Sequence, residues 1–137
     1  MSKRTVFAVD DDRLVTRLIQ VNLERAGYAV KIAFNGIEAL ETLRSEPQKP
    51  DLILLDVTMP YMDGFEMLSR MQEDPALKPI PVVMVTARAL DADIAHGHEK
   101  GALHYIAKPI NPTELLRTVR AVLGEGEDTN AAETRPV

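Results

Sequence analysis

Short apolar runs alternate along the chain with segments of helical periodicity. Residues 6–9, 52–55 and 82–85 are continuous apolar runs, and residues 28–34 and 105–107 are weaker strand candidates. Such runs are typical of strands buried on both faces of a sheet. Helical spacing of apolar residues follows each of them, over residues 13–26, 37–45, 65–73, 88–100 and 112–123. Five strand–helix units predict an α/β fold, with a doubly wound, five-stranded parallel sheet covered by helices on both faces.

Size and composition favour one ordinary globular domain. The chain has 137 residues, a net charge of −5 and no cysteine. A disulfide framework and a thiolate zinc site are therefore excluded, and the negative charge argues against direct nucleic-acid binding. The N-terminal apolar run, residues 6–9, is too short for a signal peptide or a membrane span, so we expect a cytoplasmic protein without membrane insertion.

The last fourteen residues differ in composition from the rest of the chain. Residues 124–137 contain almost no apolar side chains and several acidic ones. Such a segment cannot bury enough apolar surface to offset the entropy of ordering. We therefore expect a domain over residues 1–123, followed by a disordered acidic tail or linker over residues 124–137.

Polar and charged residues stand where four of the predicted strands end. The first strand ends at Asp10 and Asp11, the third at Asp56, the fourth at Thr86 and the fifth at Lys108. The carboxyl ends of parallel strands meet at one edge of the sheet, and ligands bind there. We therefore expect three acids, a hydroxyl and an ammonium group to converge at this edge.

Three neighbouring carboxylates repel one another unless a cation neutralises them. Oxygen ligands with open water positions suit Mg²⁺, and a phosphoryl oxygen can enter such a coordination shell. Lys108 can offset the charge of a transferring phosphoryl group, and Thr86 can donate a hydrogen bond to it. Asp56 is the best-placed nucleophile because it stands alone at the tip of the most buried strand, and carboxylates do form acyl phosphates.

Five short motifs in the right order resemble the receiver domain of two-component response regulators. They are Val9-Asp10-Asp11, Leu55-Asp56-Val57-Thr58-Met59-Pro60, Met62-Asp63-Gly64, Val85-Thr86-Ala87 and Lys108-Pro109. The resemblance covers residues 4–123. Each motif alone is weak, but each stands at the end of the element that the family requires. The resemblance implies a flavodoxin-like (βα)5 sheet with strand order 2-1-3-4-5.

The resemblance also implies a role for each matching position. Asp56 corresponds to the phospho-accepting aspartate, with Asp10, Asp11 and the backbone carbonyl of Thr58 as further Mg²⁺ ligands. Thr86 corresponds to the switch hydroxyl and Tyr105 to the aromatic residue that moves with it. Lys108 corresponds to the lysine that pairs with Asp56 or its phosphate. Pro109 follows a peptide bond that is usually cis in the family.

These roles imply a phosphoacceptor switch rather than an enzyme with a separate substrate. The expected donor is a sensor histidine kinase or a phosphotransfer protein. The expected output is a change in the surface formed by the fourth predicted helix, the fifth strand and the fifth predicted helix, which controls binding of a downstream protein target or effector domain. The sequence does not choose between a stand-alone receiver and one excised from a multidomain regulator.

Two other functions share parts of this pattern. A flavodoxin-like electron carrier needs a phosphate-binding loop rich in Ser, Thr and Gly after the first strand, where this chain has Asp10, Asp11 and Asp12. An aspartyl phosphohydrolase usually places a second Asp two residues after its nucleophile, where this chain has Thr58. Neither function fits the chain as well as the receiver does.

Overall fold

The computed structural model describes residues 3–87, 99 and 101–125. In this part of the chain the strands are β1 (Thr5–Val9), β2 (Ala29–Ala33), β3 (Leu52–Asp56), β4 (Val82–Thr86) and β5 (His104–Ala107). The helices are α1 (Arg13–Arg25), α2 (Gly36–Ser45), α3 (Gly64–Gln72) and the last described helix, α4 (Pro112–Val122). Each lies within one or two residues of its predicted position.

The five strands form one parallel sheet in the order β2-β1-β3-β4-β5. The pairing places Val9 beside Leu55, and Asp56 beside Val85. The predicted fold class and strand order are therefore confirmed. β3 is the central strand and all five of its residues are buried, as its continuous apolar sequence predicts.

Helices cover both faces of the sheet and create two separate apolar layers. Alternate strand residues point to opposite faces, so Ile53 and Leu55 join one layer, while Leu52 and Leu54 join the other. The first layer receives the buried faces of α2 and α3, and the second those of α1 and α4. The strand ends are therefore packed from both faces of the sheet, up to the edge where the charged residues stand.

Side-chain caps define where the helices begin. Asp12, Asn35, Asp63 and Asn111 each accept a hydrogen bond from backbone N–H groups in the first turn of the helix that follows. Such caps satisfy N–H groups that have no partner within the helix. At Asn111 the cap is followed by Pro112, which begins α4 and has no N–H group that needs a partner.

Two predicted segments lie largely outside the described residues. The helix predicted over residues 88–100 is described only at Glu99, and the predicted tail only at Gly124 and Glu125. Among the described helices, none has the length and apolar character that a membrane crossing requires.

The domain was predicted to end at residue 123, but Glu125, two residues further on, still contacts it. Its carboxylate accepts a 2.7 Å hydrogen bond from the hydroxyl of Tyr28 and lies 3.6 Å from Nε of Arg4. Burial and the neighbouring Glu125 carboxylate raise the pKa of Tyr28 to about 12. These contacts join Glu125, beyond the end of α4, to the loop between α1 and β2 and to the segment before β1.

Replacing Tyr28 by Phe is expected to lower the free energy of unfolding by about 1–2 kcal/mol, because the variant loses a hydrogen bond to a charged acceptor. Urea denaturation at pH 7.5 measures the change. Tyr61→Phe is the matched control, since that side chain is exposed. Equal stabilities of the Tyr28 and Tyr61 variants would show that the contact with Glu125 contributes nothing to folding.

Candidate functional site

The candidate site lies at the carboxyl edge of the sheet, between the ends of β1 and β3. The chain runs from β1 to its neighbour β2 on one side and reaches β3 on the other side. Strand order therefore reverses at this position, which opens a crevice where the helices leave in opposite directions. Asp10 directly follows β1, and Asp56 is the last residue of β3.

The three predicted acids converge in this crevice. One carboxylate oxygen from each of Asp10, Asp11 and Asp56 lies within 4.8 Å of the corresponding oxygens of the other two. Asp10 and Asp56 are buried, whereas Asp11 is exposed. The Oδ1 atom of Asp10 accepts a 2.9 Å hydrogen bond from the backbone N–H of Asp12, which fixes the orientation of the Asp10 carboxylate.

Lys108 reaches the same cluster from the end of β5. Its Nζ atom lies 2.9 Å from Oδ2 of Asp10 and 3.4 Å from Oδ1 of Asp56. Oδ2 of Asp10 is buried and, despite the short ion-pair distance, makes no hydrogen bond of good geometry with any described residue. The peptide bond between Lys108 and Pro109 is cis, the geometry that the resemblance implies at this position.

Burial and the neighbouring charged groups shift the pKa values of Asp56 and Lys108. Desolvation and the neighbouring Asp10 carboxylate raise the pKa of Asp56 to about 6, against the opposing effects of Lys108 and of a hydrogen bond from the backbone of Thr58. For Lys108, burial alone would lower the pKa, but the Asp10 and Asp56 carboxylates outweigh it, so its pKa is raised. At neutral pH the Asp56 carboxylate is therefore mainly ionised, and Lys108 carries its positive charge beside it.

The remaining predicted residues lie around this cluster. Thr86 is the last residue of β4, next to β3, and its side chain is buried. Tyr105 is half-buried in β5 and packs against the apolar layer beneath α2 and α3. Thr58 is exposed in the loop that follows β3. All eight predicted positions thus lie at or beside the carboxyl edge of the sheet, or in the strand that leads to it.

The donor atoms of the cluster fit a hard divalent cation. Carboxylate oxygens are the ligands that Mg²⁺ prefers, and it usually takes only one or two of them together with water. The buried Oδ2 atom of Asp10 already lies 2.9 Å from the ammonium group of Lys108, which shows that this oxygen can face a positive charge. The exposed Asp11 leaves one side of the cluster open to water.

Gly64 is a residue of this site whose role was not predicted. It begins α3, and a Cβ atom placed on it would overlap the backbone carbonyl oxygen of Asp56. In the sequence, Met62-Asp63-Gly64 stands out only as part of a family motif. Glycine is a poor helix former, so a glycine at a helix start can indicate a close backbone approach.

The fold and the acidic edge together define a flavodoxin-like α/β domain with a candidate cation site at the carboxyl edge of its sheet. The sequence model of the response regulator receiver domain matches residues 6–120, and the chain belongs to that family. It is thus a receiver domain of two-component phosphorelay signal transduction, as the motifs predict.

Individual relatives agree with this assignment. The chain is 39% identical over 127 residues to the alkaline phosphatase synthesis transcriptional regulatory protein PhoP of Bacillus subtilis, covering 93% of this chain and 51% of that protein. It therefore spans about half the length of this curated relative. The chemotaxis protein CheY4 of Vibrio cholerae superimposes with a TM-score of 0.83 at 34% identity, covering 89% of this chain and all of that one.

A second similar structure contains a metal ion. It is the receiver domain of the sensor histidine kinase PA1611 from Pseudomonas aeruginosa, with a magnesium ion coordinated in its active site cleft. Its TM-score is 0.81 at 27% identity, and the match covers 90% of this chain and 100% of that one.

Proposed function

We propose that this chain is a phosphoacceptor switch in which Asp56 receives a phosphoryl group from a sensor histidine kinase or a phosphotransfer protein. The observation that carries the proposal is the position of the Asp56 carboxylate. It is buried at the reversal of strand order, beside two further acids, and 3.4 Å from the ammonium group of Lys108. A buried nucleophile with a fixed cation beside it is suited to receive a phosphoryl group.

We further propose that Asp10, Asp11, Asp56 and the backbone carbonyl of Thr58 hold Mg²⁺. When bound, this ion supplies charge neutralisation for the carboxylates and for the oxygens of the entering phosphoryl group. The oxygen-only donor set, with one carboxylate oxygen from each of the three acids within 4.8 Å of the others, supports this assignment. The magnesium in the cleft of the PA1611 receiver domain is consistent with it.

In the proposed transfer, a carboxylate oxygen of Asp56 attacks the phosphorus atom of the donor. An O–P bond forms as the bond between phosphorus and the donor breaks, and the donor's histidine nitrogen keeps the electron pair. Attack requires an ionised carboxylate. A pKa of about 6 leaves Asp56 mainly ionised at pH 7.5, while Lys108 stays close enough to pair with the negative oxygens of the product.

The output of the switch is proposed to depend on Thr86 and Tyr105. The acyl phosphate adds negative charge and acceptor oxygens at the end of β3, and the hydroxyl of Thr86 stands at the end of the neighbouring strand. A shift of Thr86 toward the phosphate would change the packing of Tyr105 in the adjacent β5. The surface of β5, α4 and the helix predicted over residues 88–100 then favours a different partner-binding state.

The proposed partners are proteins, namely the phosphodonor and a downstream target or effector domain. Catalysis is confined to the protein's own phosphorylation and dephosphorylation, and the proposed location is the cytoplasm. The proposed unit is a receiver over residues 1–123, with residues 124–137 as an acidic tail or linker. It acts alone or as one part of a longer regulator.

Intact mass spectrometry after incubation with acetyl phosphate tests the proposed chemistry. With Mg²⁺ present, we expect a gain of one phosphoryl group per chain, and in excess EDTA we expect no gain. Hydroxylamine, which cleaves acyl phosphates, should remove the added mass. If the mass does not change at any Mg²⁺ concentration, the chain is not a phosphoacceptor and the proposal fails.

A further inference from the structure

The loop that joins β3 to α3, residues 57–63, packs against the apolar layer through several of its side chains. Val57, Met59 and Met62 are buried and belong to the apolar layer under α2 and α3. Tyr61, between them, is 84% exposed and has a φ of 71°, in the left-handed region that non-glycine residues rarely adopt. A loop that keeps such a residue strained is fixed in one conformation by its surroundings.

At the end of this loop, the first residue of α3 touches the backbone of Asp56. The N–H of Gly64 donates a 2.8 Å hydrogen bond to the carbonyl of Val57. A Cβ atom on Gly64 would overlap the carbonyl oxygen of Asp56 and lie 3.0 Å from its carbonyl carbon. Both Asp56 atoms belong to the backbone, so rotation of a side chain cannot relieve this overlap. The third neighbour, Cε of Met84 at 3.0 Å, belongs to a flexible side chain.

The backbone of Asp56 has little freedom to move away. It is paired with Val85 of β4, and β3 is buried along its whole length. Close-packed interiors transmit such a displacement rather than absorb it. A methyl group at residue 64 would therefore move either the start of α3 or the end of β3, and with it the Asp56 carboxylate.

We propose that Gly64 is a positioning residue for phosphoryl transfer: because it has no side chain, α3 can begin against the main chain of Asp56 and thereby fix the carboxylate. This inference rests on the proposed function. It assigns Gly64 no contact with the phosphoryl group, so Gly64 acts only through Asp56.

A second glycine also packs closely against this loop, at Met62. Gly36 is the first residue of α2, and a Cβ atom on it would lie 3.1 Å from Sδ and 3.2 Å from the carbonyl oxygen of Met62. The contact is looser than at Gly64 and partly involves a flexible side chain. Substitution of Gly36 should therefore disturb the loop less than substitution of Gly64.

The test is the phosphorylation rate of Gly64→Ala with acetyl phosphate at saturating donor and Mg²⁺. Relieving the overlap requires a shift of about 1 Å, and a misplacement of this size can slow a reaction by about 100-fold. We expect a decrease of that order in the maximal rate constant. Alanine is the better helix former, so loss of α3 itself would not explain the decrease.

Gly27→Ala is the matched control for a loss of stability. Gly27 has a φ of 103°, and no described atom lies within 4 Å of the position that a methyl group would take there. It lies between α1 and β2, at the opposite edge of the sheet. The substitution strains the backbone without touching the loop after β3. We expect it to lower the melting temperature and to leave the maximal phosphorylation rate unchanged.

The outcomes separate the inference from the proposed function. If the wild-type protein gains no phosphoryl group, the proposed function fails. If the wild type and Gly64→Ala react at the same maximal rate, or if Gly27→Ala slows as much as Gly64→Ala, the positioning role is wrong. If Gly64→Ala does not fold, the maximal rate of Gly36→Ala tests the inference instead. A rate reduced about 3- to 10-fold supports the positioning of Asp56 by this packed loop. A wild-type rate overturns it.

Discussion

Asp56→Asn is expected to abolish the phosphoryl mass gain and at the same time to stabilise the protein in EDTA. Asn has no ionisable oxygen with which to form an acyl phosphate, so labelling should be absent at every Mg²⁺ concentration. The same change removes a buried charge whose pKa is raised by desolvation and by Asp10. Function and stability should therefore change in opposite directions at this residue.

The sign of the stability change follows from the pKa shift. The pKa of Asp56 rises from 3.8 to about 6 on folding, so the native state binds more protons than the unfolded state between these values. Stability contributed by this group is therefore present at low pH and is lost as pH rises through 6. At pH 7.5 the ionised carboxylate costs roughly 2–3 kcal/mol, which is the upper bound for the gain in Asp56→Asn.

Urea denaturation of both proteins at pH 4.5 and pH 7.5 measures this effect. Because other carboxylates titrate in the same range, the informative quantity is the difference between the wild type and the variant at each pH. We expect the stabilisation of Asp56→Asn to be larger at pH 7.5. Adding Mg²⁺ should reduce it, since a cation neutralises the wild-type cluster. A variant less stable than the wild type in EDTA at pH 7.5 would contradict the predicted cost of the buried charge.

Most of the fold could be predicted from the sequence because its signals are local. The buried runs before Asp56 and Thr86 have no polar residue that would permit an exposed strand, and both are fully buried in the structure. Once the order of strands and helices is known, the carboxyl ends of the strands must share one edge of the sheet. The convergence of Asp10, Asp11 and Asp56 follows from that geometry.

What the sequence could not predict depends on distances between residues far apart in the chain. The resemblance implied that Lys108 pairs with Asp56 or its phosphate, whereas the ammonium group lies closer to Asp10. The overlap of a methyl group at Gly64 with the carbonyl of Asp56 depends on how closely α3 docks against β3. Periodicity gives the identity and order of elements but not separations of a few ångströms.

Lys108→Ala is expected to lower the free energy of unfolding in EDTA at pH 7.5 by about 3 kcal/mol, because it leaves two buried carboxylates without their cation. The ammonium group lies 2.9 Å from Asp10 and 3.4 Å from Asp56 and is 19% exposed. Lys31→Ala is the matched control. It breaks a 3.2 Å pair with Glu46 in which both side chains are nearly half exposed, and such pairs contribute at most about 1 kcal/mol.

The pH dependence of the Lys108 variant separates electrostatics from lost packing. Lys108 lowers the pKa of Asp56, so its removal should raise that pKa above 6 and let the carboxylate take up a proton more readily. The destabilisation of Lys108→Ala relative to the wild type should therefore shrink as pH falls from 7.5 to 5, and Mg²⁺ at pH 7.5 should restore part of the loss. Urea denaturation of the wild type and both lysine variants across this pH range, with and without Mg²⁺, measures the destabilisation. A loss that is independent of both pH and Mg²⁺ would mean that Lys108 stabilises the site by the packing of its aliphatic stem rather than by its charge.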